Sequence, residues 1–375
     1  MADASIYSLD GEHIQDVVLG LKVKSRLPDP MSVLLTVAQN RFLLNSLRGE
    51  GFLNMRLTRE EARNVIGIDP VRQVLEECIA ARPCLMSRHE DNEFACPTHG
   101  TLFLPALLRS SPLWKRILEG LRLFDVPEED LSAITSFRLD MVQRPRFTAQ
   151  LTRPAADRPG TYGFLLGDAA NAIHFWPGRG LNSGLASAVS LARSLSRVWR
   201  GRPLRDADFI RHEAAMSMLQ YRHKSRAWNA MVTTDERGVT RAIKDIIEGS
   251  MEATAASART DATNQRSSAP GAASNSAEAD LEILLDRMRA IRERLAPRLP
   301  GLPNDEVLRA HLSTLAPATV RTLQESGAWD TLIVGGEEAD IDIFYQQYAP
   351  VFVPATRRPP EPLPDPRAAG LLDLA

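Results

Sequence analysis

Gly167-Asp168-Ala169-Ala170 and, a few residues on, Pro177-Gly178-Arg179-Gly180-Leu181-Asn182 carry the most specific chemistry in the chain. Phe164, Leu165 and Leu166 form a short apolar run ended by Gly167, which reads as a buried strand. Asp168 then falls at the strand's carboxyl end, where open α/β sheets receive their ligands. Pro177, Gly178 and Gly180 make a loop without bulky side chains, so a ligand can approach the backbone closely. A helical run follows to Leu195, and its free N–H groups point at that loop. Such an end favours an anionic or electron-rich ligand edge. The chemistry is therefore that of holding a ligand. No Ser-His-Asp order, His-Glu-x-x-His or Walker loop occurs. His174, beside the loop, suits either tuning of a ligand or a plain backbone hydrogen bond, so no catalytic residue is assigned.

Cys84, His89, Cys96 and His99 form a second group worth weighing. Cys96-x-x-His99 has the spacing of metal ligands, but Cys84 and His89 do not make a matching pair. Buried thiols and surface imidazoles are the expectation, with no metal site. The acidic run Glu337, Glu338, Asp340 and Asp342 lacks the spacing of a calcium loop and reads as a solvated turn.

The joint pattern of Gly167 to Ala170, Pro177, Gly178, Gly180 and Asn182 resembles the second flavin-binding motif of FAD-dependent monooxygenases of the para-hydroxybenzoate hydroxylase type. The shorter loop with Phe175-Trp176-Pro177 resembles the MICAL-type members. The resemblance spans roughly residues 15 to 230. It implies a hydroxylase that uses FAD, with NAD(P)H and dioxygen as co-substrates and a small-molecule substrate. It also implies roles. Asp168 lies toward the ribityl or pyrophosphate side, Pro177 beside the isoalloxazine, and the Gly180, Leu181 and Asn182 backbone at the pyrimidine edge. Gly167 and Gly178 complete the cofactor-binding set. In such enzymes the flavin carries the redox chemistry while the protein binds, orients and keeps the pocket dry.

The family opens with a strand, Gly-x-Gly-x-x-Gly and a helix that hold the pyrophosphate, and no such pattern occurs in this sequence. The expectation is an incomplete, truncated Rossmann-like domain that binds FAD weakly by itself. Its unpaired sheet edge would offer a route to dimerisation. The alternative is a non-catalytic flavoprotein remnant acting as a binding module.

Composition narrows the partners. The formal net charge is −2, which gives no electrostatic case for nucleic acid or a membrane surface. The basic patch Arg222, His223, Lys224 and Arg226 lacks the aromatic interleaving of a nucleic-acid site. No apolar run is long enough to span a bilayer. Three cysteines cannot pair completely, which suggests a reducing, cytoplasmic setting.

The elements that must position the motif follow from periodicity. The expected class is α/β (α+β), a partial FAD-binding fold with an antiparallel substrate-type sheet and a C-terminal helical region. Val17 to Val23 and Val33 to Val37 read as strands broken by Pro28 and Pro30. Arg41 to Ser46 and Gly51 to Leu57 read as a hairpin. Arg41, Asn45, Asn54 and Arg56 then share one face, turned to a pocket or to solvent. Helices are expected from Thr58, over Pro70 to Ala81 and over Leu102 to Ile117. Ser136 to Met141 and Arg146 to Leu151 alternate as strands, and Phe209 to Val232 is a long helix. The expected domains are a substrate-type region, 1–150, and the second half of the FAD-binding domain, 151–249. A flexible linker, 250–279, a small helical region, 280–350, and a proline-rich tail, 351–375, follow.

Overall fold

Alternation along β1 (Gln15–Lys24) turns Asp16, Val18 and Gly20 to one side and Leu19, Leu21 and Val23 to the other. The two sides lead to different environments, and that split organises the molecule. A computed structural model describes residues 5–6, 8–9, 12–13, 15–76, 78–82, 84–172, 174–176, 178, 180–234, 237–264 and 272–326.

β1 pairs on one side with β3 (Glu50–Arg56), which forms a hairpin with β2 (Phe42–Leu47). The connecting Arg48 and Gly49 both have positive φ, as a tight hairpin turn requires. Five short strands form the other end of the same sheet: β4 (Gly67–Ile68), β5 (Leu75–Glu76), β6 (Met86–Arg88), β7 (Phe94–Ala95) and β8 (Leu102–Phe103). The long β9 (Leu131–Asp140) joins them to β1. The order is β2-β3-β1-β9-β6-β7-β8-β4-β5, antiparallel throughout. The protein thus mixes helices and strands around an antiparallel sheet.

The Leu19, Leu21 and Val23 side packs under helices. α1 (Asp29–Val37) starts with Pro30 in its first turn and buries Met31, Leu34, Leu35 and Val37. α2 (Arg59–Arg63) starts from Thr58 with a capping box, in which Thr58 and Glu61 satisfy each other's backbone N–H. A short helix, α3 (Cys78–Ala81), lies between β5 and β6. α4 (Pro112–Leu123) is capped by Ser111 and buries Leu113, Trp114, Ile117 and Leu121.

β10 (Thr148–Thr152) and β11 (Thr161–Phe164) form a separate antiparallel pair that leads to the motif. α5 (Gly180–Trp199) and α6 (Asp206–Met231) follow it. Then come α7 (Ile243–Asn264), α8 (Ala272–Leu295), α9 (Asp305–Leu312) and α10 (Pro317–Glu325). Among the described residues no helix is long and apolar enough to cross a membrane.

Several elements differ from the sequence expectation. Val33 to Val37 lies in α1 rather than in a strand, because the helix is buried on most of its surface and the polar gaps that reveal a period are missing. Pro70 to Ala81 is not one helix. Asp69 accepts from the backbone N–H of Val71 and Arg72, which turns the chain, and β5 and α3 follow. Leu102 to Ile117 divides into β8, a single turn at Leu104–Leu107 and α4, with Ser111 starting the last. Within 250–279, helices cover residues up to Asn264 and from Ala272 onward, in keeping with the alanine content. The expectations for the acidic run Glu337 to Asp342 and for the proline-rich tail lie outside the described residues.

Candidate functional site

The buried strand expected at Phe164 to Leu166 is displaced: β11 ends at Phe164 and is exposed to half-buried, because it belongs to a two-stranded pair, and beyond it the Leu165 N–H donates to Phe147 O at 2.8 Å. α6 fixes this end of the chain. His212 meets Leu165 O through Nε2 at 3.1 Å, and the Glu213 carboxylate accepts from the backbone N–H groups of Phe147 and Thr148. Gly167 then turns with φ +54, in the left-handed region that suits glycine. Its N–H donates to Ser187 Oγ of α5 at 3.1 Å. A Cβ on Gly184 would stand 3.8 Å from Gly167 Cα, so the turn and the helix meet backbone to backbone.

This contact brings the two halves of the motif together. Asp168 is exposed, and its carboxylate lies beside the first residue of α5: a Cβ on Gly180 would be 3.4 Å from Asp168 Oδ1. Gly178 has φ +70 and nothing near its Cβ position. Leu181 and Asn182 are exposed at the start of the helix. Pro177 and Arg179 lie outside the described residues. Sequence reasoning missed two further polar atoms. Asn171 Oδ1 and Ser183 Oγ are buried without a hydrogen-bond partner among the described residues. Both residues sit inside the motif, as Asp-Ala-Ala-Asn and Leu-Asn-Ser-Gly, and that position was the available signal.

Behind the motif, His174, Phe175 and Trp176 lie on the Val18 side of the sheet. Val18, Leu43, Trp176 and Ala230 form a buried cluster, joined by Phe137, Leu139 and Phe175. Charge is buried here as well. The Arg56 guanidinium is 4.6 Å from the Trp176 ring centroid, its Nη2 donates to Ala230 O at 2.8 Å, and its Nε is 2.9 Å from Asp16 Oδ2. His174 Nε2 lies 3.0 Å from the same carboxylate oxygen, and His174 Nδ1 accepts from the Trp176 N–H at 3.1 Å. That pair of contacts sets the neutral tautomer with the proton on Nε2. Burial alone would raise the Asp16 pKa, but Arg56 and the hydrogen bond from His174 hold it below the usual carboxylate value. Burial is the main cause that lowers the His174 pKa, and Asp16 opposes it only in part.

Of the four residues that alternate along the hairpin, Arg41, Asn54 and Arg56 are buried and Asn45 is exposed. A solvated face therefore describes Asn45 alone. Arg41 Nη2 donates to both oxygens of Glu61, at 2.6 and 2.8 Å.

Away from this region, Cys84, Cys96 and His99 gather with Cys78, whereas His89 takes no part. The four residues weighed from the sequence thus include three of this group, with His89 in the place that Cys78 takes. Burial, then hydrogen bonds with the Cys84 and Cys96 sulfurs, push the Cys78 thiol up to about 12. Burial would raise Cys96 as well, but backbone and side-chain hydrogen bonds from His99 bring it down to about 7.

Compared with family models, curated proteins and solved structures, the chain matches none of them.

Proposed function

We propose that the chain carries the flavin-binding half of an FAD-dependent monooxygenase that consumes NAD(P)H and dioxygen, with a small molecule as substrate. The observation that carries this reading is the meeting of Asp168 with the Gly180 end of α5, beside the orphaned Asn171 Oδ1 and Ser183 Oγ. These are donors and acceptors without a partner, next to a helix end with free N–H groups and an open Gly178. A polar cofactor edge would satisfy them, its N–H or O–H groups donating to Asn171 Oδ1 and its oxygens accepting from Ser183 and the helix N–H groups. Gly167, Asp168, Gly178, Gly180, Leu181 and Asn182 would hold FAD, together with Pro177 from the loop. When bound, FAD would supply the redox chemistry. The chain's own part is to orient it, exclude water with Phe175, Trp176, Phe137 and Leu139, and keep His174 neutral behind the loop.

The test supplies the strand–Gly-x-Gly-x-x-Gly–helix segment that the sequence lacks, as an N-terminal fusion from a flavin monooxygenase. The fused protein is expected to be yellow and to oxidise NAD(P)H. Asp168→Ala in the fusion should weaken FAD by about tenfold, as expected for loss of a charged hydrogen-bonding group. A folded fusion that stays colourless with excess FAD overturns the reading. A yellow fusion with no NAD(P)H oxidation points to the non-catalytic binding module, which the exposed Leu181, Leu185 and Val189 on α5 would also suit.

A further inference from the structure

We infer that Cys78, Cys84, Cys96 and His99 form a structural zinc site that ties together the short-stranded end of the sheet. The four ligand atoms all lie within 4.8 Å of one another. His99 Nδ1 is 3.2 Å from Cys78 Sγ, 3.6 Å from Cys84 Sγ and 3.2 Å from Cys96 Sγ. A tetrahedral zinc ion with thiolates at about 2.3 Å and imidazole at about 2.0 Å separates its sulfur and nitrogen ligands by about 3.5 Å. The side chains already stand at the corners that zinc needs. No disulfide uses up the sulfurs, since all three cysteines are free.

The backbone around the ligands is built for convergence. Cys96 directly follows β7, and Cys96-Pro97-Thr98-His99-Gly100 forms a tight turn. The Gly100 N–H donates to Cys96 O at 2.8 Å, and the Cys96 N–H donates to Thr101 O at 2.8 Å. Gly100 has φ +69, so glycine allows the turn to close. Cys78 opens α3, and Cys84 lies just after it, before β6. The ion would join the α3 segment to the β7–β8 hairpin across a loop of the chain.

Sheet geometry gives the reason for such an anchor. β4, β5, β7 and β8 are two residues long each, so their ladders supply few hydrogen bonds. A metal with four protein ligands closes this lobe without lengthening any strand. Four side chains complete the tetrahedron and leave no open position, which marks a structural centre rather than a catalytic one.

Cys78, Cys84 and Cys96 each lose the thiol proton to solvent, and three sulfur–zinc bonds form. His99 binds through Nδ1 and keeps its proton on Nε2. The centre then carries one net negative charge. Arg82, with Nη1 3.5 Å from Nε2, places a positive charge next to it and gives up its contact to the Nε2 lone pair. No electron is transferred.

The full chain, expressed in zinc-supplemented medium and desalted, is expected to hold close to one zinc per chain by elemental mass spectrometry. Cobalt(II) added to the zinc-free protein should give thiolate charge-transfer absorption and the visible bands of a tetrahedral site. Cys84→Ser should lower zinc retention at least tenfold. His99→Cys should keep the metal and strengthen the charge-transfer band, so the assignment stays testable even if Cys84→Ser misfolds. Zinc no higher than a buffer blank in the wild-type chain, a disulfide among these cysteines in the freshly purified protein, or cobalt spectra of octahedral type would each overturn the assignment.

Discussion

Asp16, Arg56 and His174 bury charge behind the motif, and their titration has a definite sign. Both Asp16 and His174 have folded-state pKa values below their ordinary values. Each therefore contributes stability that is present above its unfolded pKa and lost as pH falls. His174 acts first, on acidification below the ordinary histidine value of 6.5, and Asp16 acts below the ordinary aspartate value of 3.8. His212, whose pKa is also lowered chiefly by burial, adds to the first phase. The urea midpoint should fall between neutral pH and mildly acid pH, and His174→Gln should flatten that fall while His212 keeps a remainder. A midpoint that is constant over this range, or a slope unchanged in His174→Gln, would refute the assignment. Asp16→Asn leaves the Arg56 charge unpaired in the interior and should cost about 3–5 kcal/mol at neutral pH. At this scale the turn at Gly167 and the start of α5 were legible, because glycine marks such positions by type. The Asp16–His174 contact was not, since 158 positions separate the two residues and no period in the chain connects them.

Elements were legible where alternation, helical spacing or a run of β-branched residues survives in the sequence. β1, β9, α5 and α6 fall where alternation or helical spacing places them. The hairpin of β2 and β3 was legible from its turn, and α2 from Thr58 and its early acidic residues. Buried α1 erased its own period, and the small lobe from β4 to β8 is made of pieces too short to have one. The Gly167 turn sets how α5 meets β11, and paired glycines test it. Gly167→Ala forces a side chain into left-handed backbone and should cost about 1–2 kcal/mol. Gly184→Ala meets Gly167 Cα at an ordinary 3.8 Å, and alanine favours a helix interior over glycine. Thermal melts should therefore show Gly167→Ala destabilised and Gly184→Ala unchanged or raised. Equal losses in both would mean that crowding between the two elements, rather than the turn conformation, governs the contact.

Among the described residues, the larger core joins distant parts of the chain. Leu284, Leu285, Met288, Leu308, Leu312 and Leu323 of α8 to α10 belong to the same buried cluster as Leu34, Phe42, Leu53 and Trp114. Polar contacts repeat the connection. Arg287 donates to Leu323 O at 3.2 Å and to Ala38 O at 3.5 Å, Asn40 donates to Ser326 O at 3.2 Å, and His311 Nε2 meets Leu123 O at 2.9 Å. The amphipathic pattern of α8 announced the helix but not the surface it covers, because a helix face carries no label of its partner. Unfolding should accordingly be a single event. Leu284→Ala removes a fully buried side chain from this core and should cost about 2–5 kcal/mol. The far-UV signal of the sheet and the fluorescence of buried Trp114 should shift to lower urea together. If α8 to α10 were instead a separately folding appendage, Leu284→Ala would produce an early helical transition and leave the sheet transition at its original midpoint. A chain ended after Asn264 distinguishes the same alternatives. It would expose the apolar surface of α1 and of the neighbouring sheet, and it should lose its cooperative transition and aggregate. A soluble truncated chain that unfolds at the midpoint of the full chain would show that the shared core contributes nothing to the sheet.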